Sequence, residues 1–212
     1  MLLCAVSLNF SSTFASPSEL DLTRLNPKSW ISSQNKGGDK SFEEEKGEVI
    51  GGKPGEEIKT FMLKQAQKFK SIKGAVVSTI RNGEIVKISL PASSLFLPND
   101  TILMPNAEMN LRPVLTFMRR DLTKLLIVGH SDNTGRKTYT QMMAQKRAFA
   151  VEEWFRHNGV TDKEMATYSF GAEQPLYTND SMENRTKNRR VTLYLVPNQE
   201  MIKQAKRKRL NK

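Results

Sequence analysis

The run Leu125-Leu126-Ile127-Val128-Gly129-His130 carries no polar side chain before its last residue. A short strand that is apolar on both of its alternating faces belongs in the middle of a sheet covered on both sides. A fold for this chain must therefore build layers around it. The flanking segments have the right period. Upstream, a helical pattern covers 106–120, with Pro113 inside it. Downstream, a longer amphipathic helix covers 138–158 and meets Gly159, a residue suited to stopping it. Strand-like stretches follow at 165–170 and 189–196.

Before this block, Ile58, Phe61, Met62, Phe69 and Ile72 recur at helical spacing. VVSTIRNGEIVKISL then reads as a hairpin around Asn82-Gly83, a dipeptide that suits a type I′ turn. Its second strand is expected near 85–90. The order is strand, helix, strand, helix, strand, loop, strand. It predicts an α/β fold of the α+β sandwich kind: one mixed sheet, two main helices on one face, and an N-terminal helix and hairpin as an extension.

Composition limits the rest. The 212 residues suffice for one compact domain plus extensions. The net charge of +11 is unevenly spread, since 201–212 holds six Lys and Arg and no acid. Such a tail can bind nucleic acid, anionic lipid or an acidic polymer, and it can equally be a solvated end. With Cys4 as the one cysteine, no intrachain disulfide and no cysteine metal cluster is possible. The opening MLLCAVSLNFSSTFAS reads as the remains of a secretory signal, although it lacks a positively charged start. Leu3 before Cys4 argues against lipid attachment there. No run approaches the roughly 20 apolar residues that span a bilayer. Residues 16–54, rich in Ser, Asn, Lys, Glu and Gly, read as a linker or arm.

One residue breaks the pattern of the long helix. In QMMAQKRAFAVEEWF, Met143, Ala144, Ala148, Val151, Trp154 and Phe155 form an apolar stripe, and Arg147 falls near its centre. A guanidinium buried there without a partner would cost several kcal/mol, and it cannot escape by losing its proton. Its partner is a ligand oxygen, an internal acceptor, or solvent reached by snorkelling. A carboxylate matches its fork best. Asp132 lies in GHSDNTG, just beyond the end of the central strand, where open α/β sheets tend to bind ligands. Thr140 stands two turns before Arg147 on the same helical face. An acid facing a cation across a shallow pocket suits a zwitterion, though Asp132 alone can also be a loop residue capping its own turn. In NRRVTLYLV, the period of two aligns Arg189 with Val191, Leu193 and Leu195. Arg189 thereby repeats the oddity of Arg147; an internal salt bridge or a strand-end charge reaching solvent is the plain alternative.

Taken in order, GHSDNTG, KRAFAVEEWF, YSFGAEQP and NRRVTLYLVP resemble the OmpA-like C-terminal domain family, which includes peptidoglycan-associated lipoproteins. LPASSLFLPNDTIL is similar to that family's first strand and loop, so the resemblance spans 85–197. It implies non-covalent binding of peptidoglycan through the diaminopimelate of its stem peptide. By the same resemblance, Arg147 clamps the ligand carboxylate, Asp132 meets its ammonium, and Arg189 supports the site with Asn133 and Thr134. The loop of Leu97 and Asn99 forms another wall. Asn188 and Arg185 match motif positions that hold the final loop. Where Thr140 stands the family usually has asparagine, and a threonine lacks the paired donor and acceptor of a carboxamide.

The implied function is anchoring of an envelope component to the cell wall in the periplasm, with peptidoglycan as partner and an outer-membrane or other envelope protein as a second one. The alternative is an envelope interaction protein with a vestigial site. No nucleic acid, cofactor or metal is expected. Catalysis is not expected either: the chain has His130 and His157 as its only histidines, and no nucleophile–base pair is evident. The resulting layout is a signal remnant (1–15), an arm (16–54), a helix and first hairpin strand (55–84), an OmpA-like domain (85–197) and a basic tail (198–212).

Overall fold

In the computed structural model, residues 50–210 are described. The signal remnant and nearly all of the arm lie outside them. Helix α1 (Gly52–Phe69) leads into the hairpin strands β1 (Val76–Ile80) and β2 (Ile85–Pro91). A short 3₁₀ turn (Ala92–Ser94) follows, then α2 (Ala107–Met118), β3 (Thr123–His130), α3 (Lys137–His157), β4 (Met165–Gly171), α4 (Met182–Asn188), β5 (Arg190–Pro197) and α5 (Gln199–Lys206). The five strands form one sheet in the order β1-β2-β5-β3-β4. It is mixed: β3 and β4 are parallel, and the remaining pairs are antiparallel.

The apolar side chains that alternate along the strands account for the layering. Val86, Ile88 and Leu90 from β2 lie on one face with Leu125 and Ile127 from β3 and Val191, Leu193 and Leu195 from β5. They share a core with Ile58, Phe61 and Met62 of α1, Leu111 and Val114 of α2, and Ala148, Val151 and Phe155 of α3. Phe117 of α2 holds α1 through ring contacts with Phe61 and Phe69. The opposite face is buried too. It carries Leu126, Val128 and Val196 beside the polar Lys87, His130, Arg190 and Thr192. The continuous run in β3 therefore does lie inside the sheet, buried at every position except Lys124.

Three local features differ from the sequence expectation. The hairpin loop has four residues, with Ile80 facing Ile85, and Arg81, Asn82 and Gly83 all adopt positive φ. It is therefore not a two-residue I′ turn. Lengthening the loop turns Glu84 inward, and its carboxylate accepts hydrogen bonds from the Ile50 and Gly51 amides at the start of α1. A negative group at a helix N-terminus is favourable for both partners. The segment before β5 is helical (α4), started by Ser181, whose hydroxyl accepts from the Asn184 amide. Finally, the residues after Pro197 form α5, which buries Met201 and Ala205, and Leu210 beyond it is buried as well. No helix among the described residues is long and apolar enough to cross a membrane.

Candidate functional site

The site forms where β3 ends. At Gly129 the strand passes so close to α3 that a Cβ would lie 2.7 Å from the Ala144 carbonyl carbon, with the oxygen nearer still. Real carbon contacts begin near 3.5 Å, so only glycine admits this approach. A second close passage occurs at Gly171 (φ 52°), where a Cβ would meet the Gln141 Cα at 3.2 Å. Gln141 and Ser169 lock that contact: the Gln141 amide donates to the Ser169 carbonyl at 3.0 Å, and the Ser169 hydroxyl donates to the Gln141 carbonyl at 3.3 Å. The first turns of α3 are thus pressed against the ends of two parallel strands. This brings Arg147, on the fourth turn's inner face, beside the loop that begins at Ser131.

Asp132 is 3% exposed. Its Oδ1 accepts from the Thr134 amide at 2.8 Å, an Asx turn that fixes the carboxylate, and its Oδ2 forms an ion pair with the Arg189 guanidinium. Arg189 also donates to the Thr186 hydroxyl at 2.7 Å. It sits at the junction between α4 and β5, not within the strand. Its position is set by that junction, whose backbone is tied to the end of β2 by the Ala92 amide donating to the Arg189 carbonyl at 2.9 Å.

Arg147 is 5% exposed. Its Nε donates to the Asp100 carbonyl at 3.0 Å, and the guanidinium lies over the Phe96 ring, 5.5 Å from its centroid. Among the described residues it forms no ion pair. The Asp100 carboxylate is turned to its own loop, where Oδ1 accepts from the Thr101 and Ile102 amides. Burial, and after it the positive charge of Arg189, holds the pKa of Arg147 below the usual arginine value, while Tyr139, Asp132 and Asp100 pull it upward. Arg147 and Arg189 are therefore electrostatic neighbours, and of the two it is Arg189 that is ion-paired with Asp132.

The remaining expected residues are placed as follows. Thr140 is 3% exposed and donates its hydroxyl proton to the Lys137 carbonyl at 3.0 Å, so it presents only lone pairs to its surroundings. It forms no hydrogen bond to Asp132 or Arg147. Asn133 and Thr134 are exposed in the loop after β3. Leu97, 57% exposed, and Asn99, at φ 57°, belong to the same loop as Asp100. Asn188 is fully buried and holds the final loop: it accepts from the Leu176 and Tyr177 amides and donates to the Tyr177 carbonyl and Asn179 side chain. Arg185 donates to the Asn179 carbonyl at 2.9 Å in the same loop.

Two contributors escaped the sequence reading. Phe96 and the Asp100 carbonyl supply the bed of Arg147, and both come from a loop about 50 residues upstream in the chain. A backbone acceptor leaves no signature in residue type, so only LPASSLFLPNDTIL as a whole pointed there. Arg190, which the period of two places with Thr192 and Tyr194 on the face of β5 opposite Val191, is buried and donates to the Asn188 and Gln174 carbonyls. Among the described residues, no cluster of three or more His, Cys, Asp or Glu side chains comes together as a metal site.

This mixed five-stranded sheet with its helices has the fold of the OmpA-like domains. The OmpA family model matches residues 95–189 of the chain. It is 25% identical over 136 residues to the probable lipoprotein YiaD of Escherichia coli, covering 64% of this chain and 62% of that protein. It is 33% identical over 70 residues to the peptidoglycan-associated lipoprotein of Buchnera aphidicola, covering 33% and 40%. The chain thus spans less than two thirds of the length of both relatives. In fold it is similar to a MotB-like protein of Desulfovibrio vulgaris (TM-score 0.56, 22% identity, 66% of this chain and 96% of that one). It is also similar to the cell wall anchor of the type VI secretion system of Pseudomonas aeruginosa (TM-score 0.56, 18% identity, 65% and 97%).

Proposed function

We propose that this protein binds peptidoglycan without catalysis, through the diaminopimelate of the stem peptide, and so anchors an envelope component to the cell wall in the periplasm. The observation that carries this reading is Arg147: a buried guanidinium resting on a carbonyl and a ring, with no carboxylate of its own among the described residues. A ligand carboxylate would complete its fork bidentately. The ligand ammonium would approach Asp132, whose two oxygens each retain a lone pair after accepting from Thr134 and Arg189. Relatives named for peptidoglycan association and a fold neighbour described as a cell wall anchor support the same reading.

Neither histidine is paired with a nucleophile: the His130 ring nitrogens have no partner, and His157 meets the Glu153 carbonyl. The test is retention of the full chain on purified sacculi. Wild type should co-sediment, and Arg147→Ala and Asp132→Ala should each stay in the supernatant while unfolding cooperatively. Retention of both variants at the wild-type level would sink the site assignment and favour an interaction protein whose pocket is vestigial.

A further inference from the structure

The basic segment after β5 is not a loose end. Helix α5 lies outside the matched family region and is fastened at both of its ends. At its start, the Asn198 amide donates to the Leu122 carbonyl at 3.0 Å, and the Asn198 side chain donates to the Asp121 carbonyl at 2.9 Å while capping the Met201 amide. Past its end, the Leu210 amide donates to the Glu57 carboxylate at 2.9 Å. Met201, Ala205 and Leu210 are buried in the core shared with α1. This arrangement leaves Lys203, Lys206, Arg207, Lys208 and Arg209 exposed, five cations within seven residues. Arg119 and Arg120, also exposed, stand beside Asp121 at the point where α5 is fastened.

The position of this cationic surface is defined by the sheet. β5 and β3 are antiparallel, with Thr123 opposite Pro197 and His130 opposite Arg190. The Asp132 site therefore follows one end of β3, and α5 starts beside the other. Eight residues at about 3.3 Å each separate the two by roughly 25 Å. That is about three Debye lengths at physiological salt, each about 8 Å, so the cations at this end cannot steer a ligand into the distant site. They form a second surface at the opposite pole. Because the apolar side of α5 is spent on the protein core, the exposed side offers charge without an inserting apolar wedge.

We propose that the α5 pole docks electrostatically on an anionic phospholipid surface, with the Asp132–Arg147 site pointing away from it. A flat, charged headgroup layer complements a surface of exposed Lys and Arg with no apolar anchor. The choice of lipid over nucleic acid rests on the envelope setting proposed above, whereas the cationic pole itself does not.

The test uses the full chain and sedimentation with vesicles, separately from sacculus retention, so that either proposal can fail alone. Vesicles containing phosphatidylglycerol should capture the protein at low salt, vesicles of phosphatidylcholine alone should not, and raising the salt to about 1 M, where the Debye length falls to about 3 Å, should release it. Each neutralised cation should weaken capture about fivefold, so the variant K206Q/R207Q/R209Q should bind about 100-fold more weakly. These side chains are exposed, and the variant should keep the wild-type melting temperature. Equal capture by both vesicle types, or unchanged capture of the folded variant, would overturn the proposal. Tighter binding to duplex DNA than to the anionic vesicles at matched salt would overturn the lipid assignment.

Discussion

Gly129→Ala should be among the most damaging single-methyl changes available in this domain. The added Cβ would sit 2.7 Å from the Ala144 carbonyl carbon and 3.2 Å from the Ala148 Cβ. Comfortable carbon contact needs about 3.5 Å or more, and the Ala144 carbonyl oxygen lies nearer than its carbon, so α3 and β3 must part by more than about 1 Å. Neither can do so freely. The strand is paired with β4 on one side and β5 on the other, and α3 is locked to β4 through Gln141 and Ser169. Overpacking of this kind costs about 1–3 kcal/mol, and for a domain of this size each kcal/mol lowers Tm by about 2–4 °C. A fall of about 4–10 °C is expected by circular dichroism. Arg147 lies one turn beyond Ala144, so the same displacement should loosen ligand binding, for which a shift of 1 Å is large. Gly159→Ala is the control. Its φ is 92° but nothing lies within 4 Å of the new Cβ, so only backbone strain of about 1–2 kcal/mol applies and ligand affinity should not change. A Gly129→Ala protein melting within 2 °C of wild type, with unchanged affinity, would refute the close-passage reasoning.

Other substitutions probe the support around the site. Asn188→Ala removes a fully buried carboxamide with four hydrogen bonds to the 176–179 loop; about 3 kcal/mol of stability should be lost, and limited proteolysis should cut in that loop first. Truncation after Pro197 strips Met201, Ala205 and Leu210 from the core and should destabilise by about 3–5 kcal/mol, whereas a truly solvated tail would leave urea denaturation unchanged. His130, buried between the charges of Arg190 and Lys87, has a pKa held well below 6.5, first by burial and then by those two cations. The unfolded state therefore takes up the proton first, and stability should fall as pH drops below about 6.5. His130→Phe should remove that component of the pH dependence, read as the difference from wild type between pH 7 and 5. Lys87, lowered to about 8 by burial and by Arg190, should make stability rise as pH increases from 8 to 10.5, a slope that Lys87→Met should abolish.

How far the sequence reaches depends on the kind of signal. The central strand, the long helix and the last strand announced themselves through unbroken or periodic apolar runs, and the sheet they imply is the one observed. Helix α5 was hidden behind the five cations of 203–209, although Met201, Ile202 and Ala205 already had helical spacing. α4 has only seven residues and no apolar stripe, so its cap Ser181 was the one available mark. Arg147 could be picked out because a guanidinium in an apolar stripe needs an explanation. Its actual supports could not, since a loop carbonyl and an aromatic face 47 and 51 positions away are joined to it only by tertiary structure. Arg190 shows the limit of period-two reasoning: alternation separates it from Val191 and Leu193 but does not tell that both faces of the sheet are buried.

The most direct measurement is calorimetric titration with two synthetic stem peptides, one carrying diaminopimelate and the other lysine at the same position. The lysine peptide keeps the side-chain ammonium but lacks the second carboxylate that would complete the fork of Arg147. Wild type should bind the diaminopimelate peptide at least tenfold more tightly than the lysine peptide, and Arg147→Ala should erase the difference, since a charge-assisted bidentate contact contributes about 1.5–3 kcal/mol. Equal affinity of the wild-type protein for both peptides would contradict the role assigned to Arg147.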